Sequence, residues 1–214
     1  MAGPTGEERT FYKSPVRLWI AGVLARIGIR YFDLLYGRTD LRSSSVRTVS
    51  SPLELRIRAA GEEDMRRIVE RSGDETDGDF RAALALGGAC YVALSEGSIA
   101  GYTWVNRNLI PVRGLPPLPL PAGSVYSYKS HVFPEHRGKK VFQGLLAEVY
   151  REMKNEGFSV AANLVDVKNA ASIQARRRVG ASFRRVRLVK LPGLKPFFIP
   201  GIDGPPTREE AAGR

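Results

Sequence analysis

Cysteine and histidine are scarce in this sequence of 214 residues, and their scarcity excludes several kinds of site. The one cysteine, Cys90, has no partner for a disulfide within the chain, and its apolar neighbours predict a small buried side chain rather than a nucleophile. His131 and His136 do not form a zinc-like cluster with it, so we expect no metal site. A chain with so little cysteine suits the reducing cytoplasm, which is the compartment we predict.

A signal peptide and an uninterrupted apolar run are also missing. The first ten residues lack the basic start and the apolar core of a secretion signal. Residues 16–36 are apolar with helical periodicity, but arginines interrupt them, so a membrane span of about 20 apolar residues is not available. We predict an amphipathic helix there and a linker rich in Ser, Thr and Arg at 38–52, which together form an N-terminal extension over 1–52.

The predicted N-terminal helix has one apolar side, and two partners for this side remain open. Its members recur at helical spacing and are Val16, Trp19, Ile20, Val23, Leu24, Ile27, Tyr31, Leu34 and Leu35. We favour docking of this side on the rest of the protein or on a second subunit, which would give a homodimer. The alternative is a peripheral position in a membrane interface, with anionic headgroups bound by Arg17, Arg26 and Arg30.

A short basic turn between a predicted strand and a predicted helix is the most informative feature of the chain. The strand is expected at 124–133 from its β-branched and aromatic content, and the helix runs from Val141 to a cap at Gly157. Such a turn directs backbone N–H groups and the positive end of the helix dipole to one point, which suits a phosphate group. Positive charge is added there by Arg137, Lys139 and Lys140.

A second segment, Asn169 to Gly180, follows this turn about thirty residues further along the chain. Two better-known phosphate-binding patterns, Gly-x4-Gly-Lys-Ser/Thr and Gly-x-Gly-x-x-Gly, are absent. The chain instead resembles the GCN5-related N-acetyltransferase (GNAT) superfamily, because it carries in this order Val132-x-Pro134-x-x-Arg137-Gly138, Asn169-x-x-Ser172 and Gly180. The resemblance covers roughly residues 53–190, where the order and the spacing of the elements agree.

The resemblance implies an acyl-CoA-dependent N-acyltransferase that moves the acetyl group of acetyl-CoA to an amine. In the family, the first motif binds the pyrophosphate of acetyl-CoA, and the second helps to line the acyl and pantetheine slot. The cofactor-binding residues are therefore expected to be Val132, Phe133, Arg137, Gly138, Lys139, Lys140, Val141, Phe142, Asn169 and Ser172.

The chain departs from the family pattern at three positions. Lys140 and Phe142 stand where the family usually has small residues, and glycine there lets the backbone approach the ligand closely. The charge of Lys140 could compensate by contacting phosphate. Arg176 stands where many members have a tyrosine that acts as general acid toward the departing thiolate.

The predicted elements follow the order of an α/β (α+β) fold, in which a mixed, mostly antiparallel sheet is flanked by helices. Strands are predicted at 53–59, 89–94, 99–105, 124–133, 159–167 and 183–191, and helices at 62–72, 80–86, 141–157 and 170–179. Residues 53–191 would form the GNAT-like domain, and 192–214 an extended Pro- and Gly-rich tail. The proline-rich segment 110–121 is predicted as a stiff loop, and a role in shaping the acceptor site is left open.

Basic residues outnumber acidic ones by 33 to 22, which gives a formal net charge of +11. The phosphates of CoA would account for part of this excess, and an acidic acceptor, an anionic membrane surface or nucleic acid for the rest. We interpret the run Arg176–Arg178 as a solvated helix face, because successive helical residues point about 100° apart. No zinc-finger, homeodomain or RNA-binding signature is present, so we expect no specific nucleic-acid partner.

We expect direct transfer, in which a neutral amine attacks the thioester without an acyl-enzyme. A backbone N–H near Val132 is the family-like donor to the thioester oxygen. Alternation along the strand places Ser130 and Val132 on one face with Tyr126 and Tyr128, which makes the two tyrosines candidate catalytic acids or bases, with core packing as the alternative.

The acceptor remains open, and so do two other functions. The amine could belong to a small molecule or a protein, and it could be acidic or lipid-linked. A CoA sensor without turnover is the second function, since the small residues and the tyrosine of the family are missing. A basic protein that binds anionic membranes or nucleic acid is the third, and only the net charge supports it.

Overall fold

The computed structural model describes residues 28–43, 46–47, 49–72, 75–112 and 115–200. Its strands are β1 (Arg30–Asp40), β2 (Arg56–Ala59), β3 (Gly88–Ser95), β4 (Ser98–Asn106), β5 (Leu109–Ile110), β6 (Leu118–Pro119), β7 (Ser124–Val132), β8 (Val160–Asp166), β9 (Ser182–Lys190) and β10 (Phe197–Pro200). Its helices are α1 (Glu62–Ser72), α2 (Asp77–Ala85), α3 (Val141–Asn155) and α4 (Ala170–Arg178), and a 3-10 turn spans Pro134–His136. Residues 16–27 of the predicted N-terminal helix lie outside the described residues.

Eight strands form one mixed sheet in the order β10-β9-β1-β8-β7-β4-β3-β2. Neighbouring strands in it run antiparallel, except for β7 and β8, which are parallel. The predicted mixed, mostly antiparallel sheet flanked by helices is therefore confirmed. All four predicted helices and six predicted strands between residues 53 and 191 occur within a few residues of their expected positions.

Strand β1 corrects the predicted helix over residues 30–36 and the predicted linker over 38–40. It lies inside the sheet, where it pairs with both β8 and β9. Phe32, Leu34 and Tyr36 pack against one apolar cluster, and this spacing of two is that of a strand. The apolar residues of this segment fit a helical and an extended pattern equally well. The segment is a strand because it pairs with β8 and β9, which are distant in sequence.

The two faces of the sheet are covered by different helices. Helix α3 packs on one face through residues such as Leu145, Leu146 and Met153, all of which are fully buried. Helices α1 and α2 cover the opposite face, where Ile68 and Phe80 pack on the sheet. We call these the α3 face and the α1–α2 face.

A third apolar cluster involves the proline-rich segment, which was predicted as a stiff loop. Its ends instead form a two-stranded ribbon of β5 and β6, and Ile110 and Leu118 are buried against Tyr126 and Leu188 of the sheet. The ribbon covers the half of the α1–α2 face that the two helices leave open. At the sheet edge, β10 pairs with β9, so residues 197–200 of the predicted tail belong to the sheet. None of the described helices has the length and apolarity that a membrane crossing requires.

Candidate functional site

The parallel strands β7 and β8 diverge after three paired residues. Residues Ser124, Val125 and Tyr126 pair with residues 160–162 of β8, and no pair joins the described residues of the two strands beyond this point. Strand β7 nevertheless continues to Val132. The divergence opens a gap in the middle of the sheet, and the backbone polar groups that border it are available to a ligand.

A β-bulge at Lys129 divides β7 into two parts. Lys129 has a φ of 44°, which is the left-handed region that non-glycine residues seldom occupy. The pairing of β7 with β4 shifts register between Tyr102 and Trp104 at the same level. A bulge inserts one residue, so side chains before and after it alternate out of phase.

The bulge corrects the predicted shared face of β7. Ser127 and Ser130 both turn toward the α3 face, because both hydroxyls accept hydrogen bonds from Arg176. Tyr128 turns to the α1–α2 face, where its ring lies 6.3 Å from that of Trp104. Tyr126, Tyr128, Ser130 and Val132 therefore do not share one face, because the inserted residue reverses the alternation.

A cavity of about 410 Å³ lies beside the gap, between β7 and the first turns of α3 and α4. This size is within the range of small-molecule sites. Its lining residues are Ser130, His131, Val132, His136, Arg137, Gly138, Val141, Phe142, Asn169, Ala171, Ser172 and Ala175. None of these described residues carries a carboxylate, so the cavity suits an anionic ligand.

The basic turn borders this cavity at the N-terminus of α3. Gly138 has a φ of 78°, and an added Cβ there would meet no atom within 4 Å, so the backbone is open to a ligand. Lys140 precedes the helix with a φ of 58° and gives it no side-chain cap. The first N–H groups of α3 are therefore available to an anion. Lys140 adopts the left-handed conformation at a position where the resembled family usually has glycine.

The turn is held from outside by two contacts. The Ser51 hydroxyl donates a hydrogen bond to the carbonyl oxygen of Lys139 at 2.7 Å. On the other side, Arg71 of α1 donates to Glu135, and its guanidinium lies 3.9 Å from the centre of the Phe133 ring. These contacts fix the turn without using the cavity-lining side chains.

Helix α4 and its N-cap also line the cavity. Asn169 is its N-cap, and its side-chain oxygen accepts the backbone N–H of Ser172 at 3.0 Å. The Asn-x-x-Ser motif therefore also has a structural role, because its asparagine caps the helix whose first turn contains its serine. Both residues also line the cavity, together with Arg137 and Gly138.

The structure brings seven of the ten expected cofactor-binding residues to the cavity. They are Val132, Arg137, Gly138, Val141, Phe142, Asn169 and Ser172. Phe133 is instead buried in the cluster on the α1–α2 face. Lys139 and Lys140 are exposed and adjoin lining residues in the chain without lining the cavity themselves.

Arg176 is the residue that the sequence interpretation missed. Its side chain is not solvated but only 4% exposed, whereas Arg177 and Arg178 are exposed as predicted. Its Nη1 donates to the Ser127 hydroxyl at 2.8 Å and to the Tyr150 hydroxyl at 3.3 Å, and its Nη2 donates to Ser130 at 3.4 Å. The signal for burial was its position three residues after the buried Ile173.

The two tyrosines named as candidates lie on the face of β7 opposite the cavity. Their rings stack at 5.7 Å, and burial raises the pKa of both hydroxyls above the ordinary range, so both stay protonated at neutral pH. Tyr126 is 3% exposed and packs under the β5–β6 ribbon. The hydroxyl of Tyr128 is buried and has no hydrogen-bond partner in the part of the chain that the structure describes. Tyr128 contacts both apolar clusters of this face and lies where they meet.

Cys90 and the two histidines are the other residues that the sequence singled out. Cys90 is 4% exposed, as predicted, and burial raises the pKa of its thiol, which disfavours the nucleophilic thiolate. His131 and His136 both line the cavity. Within the part of the chain that the structure describes, no three His, Cys, Asp or Glu side chains converge as metal ligands would.

Comparison with known proteins gives similarity in structure rather than in sequence. No family model and no curated protein matches the sequence. Among solved structures, the chain is similar to a GNAT-family protein from Novosphingobium aromaticivorans, with 21% identity and a TM-score of 0.53 over 75% of this chain. It is also similar to a GCN5-related N-acetyltransferase from Kribbella flavida, with 14% identity and a TM-score of 0.53 over 82% of this chain.

A Drosophila protein of 14% identity matches with a TM-score of 0.55 over 82% of this chain. The chain spans 63%, 64% and 56% of the length of these three proteins. Sequence identities this low show a shared fold but not a shared activity. These matches identify the fold of the chain as that of the GCN5-related N-acetyltransferases.

Proposed function

We propose that this chain is an acyl-CoA-dependent N-acyltransferase whose preferred donor is acetyl-CoA. One observation carries the proposal: a cavity without carboxylates lies beside the gap between β7 and β8 and ends at the uncapped N-terminus of α3. The phosphate end of the donor is assigned to the turn, and the acyl end to the gap. The fold that the chain shares with solved acetyltransferases supports the proposed class of reaction.

The turn would bind the pyrophosphate mainly through backbone groups. Gly138 and the first turn of α3 supply N–H donors, and Arg137 supplies a formal charge at the cavity wall. Phe142 lines the cavity where the family usually has a small residue, so it would contact the pantetheine arm instead of leaving room for phosphate. Asn169 and Ser172 would contact the same arm from α4.

Strand geometry favours the Val132 N–H as donor to the thioester oxygen. The N–H of Phe133 bonds to Ala100 of β4, on one side of the strand. Successive N–H groups of an extended chain point to opposite sides, so that of Val132 points to the gap. A donor aimed at the carbonyl oxygen stabilises the negative charge that develops there when an amine attacks.

The acceptor would approach the gap from the α1–α2 face, where Tyr128 lies between helix α2 and the β5–β6 ribbon. The buried hydroxyl of Tyr128 has no hydrogen-bond partner among the described residues and stays protonated at neutral pH, so it suits a hydrogen-bond donor to the acceptor rather than a base. The amine could belong to a small molecule or a protein. The scarcity of cysteine continues to favour the cytoplasm as compartment.

Two measurements test the proposal in order. Calorimetric titration of the full chain with CoA should give saturable binding at one site, and absence of binding would overturn the proposal. Release of CoA thiol is then followed with acetyl-CoA and longer acyl-CoA thioesters against small amines, peptide N-termini, lysine and amino sugars. Binding of CoA without amine-dependent thiol release from any pair would favour the sensor function instead.

A further inference from the structure

The guanidinium of Arg176 is a buried cation that no carboxylate neutralises among the described residues. Its hydrogen bonds go to the hydroxyls of Ser127, Ser130 and Tyr150, and its Nε has no partner within the described ranges. It takes part in none of the ion pairs found in the described part of the chain. A buried charge without a counter-ion is costly, and such groups are retained where an anion binds or forms.

This cation lies directly behind the cavity wall. Ser130, which lines the cavity, accepts its hydrogen bond, and the neighbouring residue Ala175 lines the cavity too. Its Cζ lies 5.2 Å from the ring centre of Phe142, a third lining residue. The positive charge is therefore one side-chain layer away from any ligand in the cavity.

We propose that Ser130, held by Arg176, donates a hydrogen bond to the sulfur of bound CoA and that the pair stabilises this sulfur as a thiolate. The inference rests on the proposed acyl-CoA site. Ser130 would touch the ligand, and Arg176 would act through it as a positioning residue and as a fixed charge. The ligand class is a thiolate, which is the leaving group of the proposed reaction.

The hydroxyl network gives Ser130 a proton to donate. Its oxygen accepts from Arg176 and lies 2.7 Å from the Thr103 hydroxyl, which can donate to it. When Thr103 and Arg176 both donate to this oxygen, the Ser130 proton is free to point into the cavity. The sulfur is assigned to this end because the basic turn, where the phosphates are assigned, lies at the other end of the lining stretch from Ser130 to Gly138.

The corresponding step balances without a further reactant. The amine nitrogen forms a bond to the thioester carbon, the carbon–sulfur bond breaks, and its electron pair stays on sulfur. The proton that the amine loses goes to water at the mouth of the cavity. Arginine remains protonated at any physiological pH, so Arg176 stabilises the thiolate by charge and does not transfer a proton to it.

Other titratable groups near the sulfur must be considered. His131, His136 and Arg137 line the cavity, and Tyr150 of α3 lies behind it next to Arg176. Glu135 adjoins His136 at 3.9 Å and is more than half exposed. Arg176 is the buried cation of this group, and its fixed charge is the one assigned to the sulfur.

The test is the thiol pKa of CoA bound to the full chain, measured from the ultraviolet absorbance of the thiolate during a pH titration. In the wild-type protein we expect it to lie about one to two units below that of free CoA, which is a 10- to 100-fold preference for the thiolate. In Arg176→Met and Ser130→Ala the value should return toward that of free CoA. Arg176→Lys keeps the charge and should retain part of the shift.

Desulfo-CoA, which has no thiol, is the control ligand for CoA. Its affinity should be the same for the wild type and Ser130→Ala at every pH, whereas CoA affinity should fall about 10-fold in the variant above the thiol pKa. A wild-type thiol pKa equal to that of free CoA would overturn the inference, and this measurement needs no variant to fold. Failure of desulfo-CoA to bind the wild type would instead overturn the proposed function.

Discussion

The two faces of strand β7 differ in chemistry although they belong to the same nine residues. Toward α3 and α4 the strand presents Ser127 and Ser130 to a buried arginine and a cavity. Toward α1 and α2 it presents Tyr126 and Tyr128 to an aromatic cluster that contains the fully buried Trp104. One face therefore combines apolar packing with hydroxyls and a buried cation, whereas the other is a hydrophobic core.

The difference shows how one strand supports both stability and a binding site. The bulge at Lys129 lets the strand place two serines three residues apart on the same face, which regular alternation does not permit. The side chain of Lys129 is itself held by Glu75, whose carboxylate accepts a hydrogen bond from its Nζ at 2.7 Å. We expect truncation of apolar side chains on the aromatic face to change folding, and substitutions on the cavity face to change binding.

Trp104→Ala should have the largest effect. Trp104 is completely buried and stacks on Phe80 at 5.4 Å, so its truncation should lower the free energy of unfolding by about 3–5 kcal/mol. Urea denaturation measures this loss. Ser130→Ala on the opposite face is the control variant, and it should lower the free energy of unfolding by less than about 1.5 kcal/mol. Equal losses in the two variants would contradict the distinction between the faces.

Arg137→Glu should reduce the affinity for CoA about 100-fold or more while the fold is unchanged. A charge-assisted contact with phosphate contributes about 1.5–3 kcal/mol, and the reversed charge adds repulsion. Calorimetric titration measures the affinity, with Arg81→Glu, an exposed charge reversal on α2, as the matched control. A folded Arg137→Glu variant with wild-type affinity would remove the turn from the donor site.

Tyr128→Phe should lower the maximal rate of acyl transfer about 10- to 100-fold, because the proposed hydrogen bond from its hydroxyl to the acceptor is lost. Tyr126→Phe, its stacking neighbour under the ribbon, should change the rate less than about threefold. Burial raises the pKa of both tyrosines, so any loss of rate from Tyr128 ionisation should begin only above its ordinary value of about 10. Equal rates for the two variants across pH would make both tyrosines packing residues.

Asp64→Asn should have the smallest effect, and that effect should depend on pH. The hydrogen bond from Arg58 is the main cause that lowers the pKa of Asp64, which is 6% exposed and also accepts the Gly61 N–H. The ionised carboxylate therefore stabilises the fold above its unfolded pKa of about 4, and the contribution is lost as pH falls through the lower folded value.

At pH 7 the Asp64→Asn variant should be about 1 kcal/mol less stable than the wild type, because Arg58 is partly exposed and solvent screens the pair. Thermal unfolding at pH 7 and below pH 3 measures the difference. A stability difference between the variant and the wild type that stays constant as the pH falls would show that the charge of Asp64 does not contribute to stability.

Much of the fold follows from local sequence patterns. Helix α1 begins and ends where its pattern predicts, and the hairpin of β3 and β4 turns at Glu96 and Gly97, which both have positive φ. The turn from β7 into α3 was also predictable, because strand content, a basic Gly-containing turn and a helical repeat follow one another directly. Seven of the expected cofactor-binding residues line the cavity for the same reason: they lie on two short segments whose ends meet.

Three features depended on contacts between distant residues. Strand β1 carries an apolar pattern that fits a helix as well, and its place between β8 and β9 decided its conformation. The bulge at Lys129 leaves no mark in the sequence, because lysine does not favour the left-handed region, and its effect on the faces of β7 appears only in the paired sheet. From the sequence alone, Arg176 is predicted to be exposed like its basic neighbours. It is buried because α4 packs against β7 and α3.

The sequence by itself thus determined the order of elements in residues 53–191 and the position of the basic turn, since periodicity and turn residues act within a few neighbours. Only the tertiary structure decided which side chains of β7 face the cavity, and which arginine of the run Arg176–Arg178 is buried. The physical reason is that burial and facing depend on the partner across the sheet or the helix interface, which lies 26 residues away for Arg176 and Tyr150.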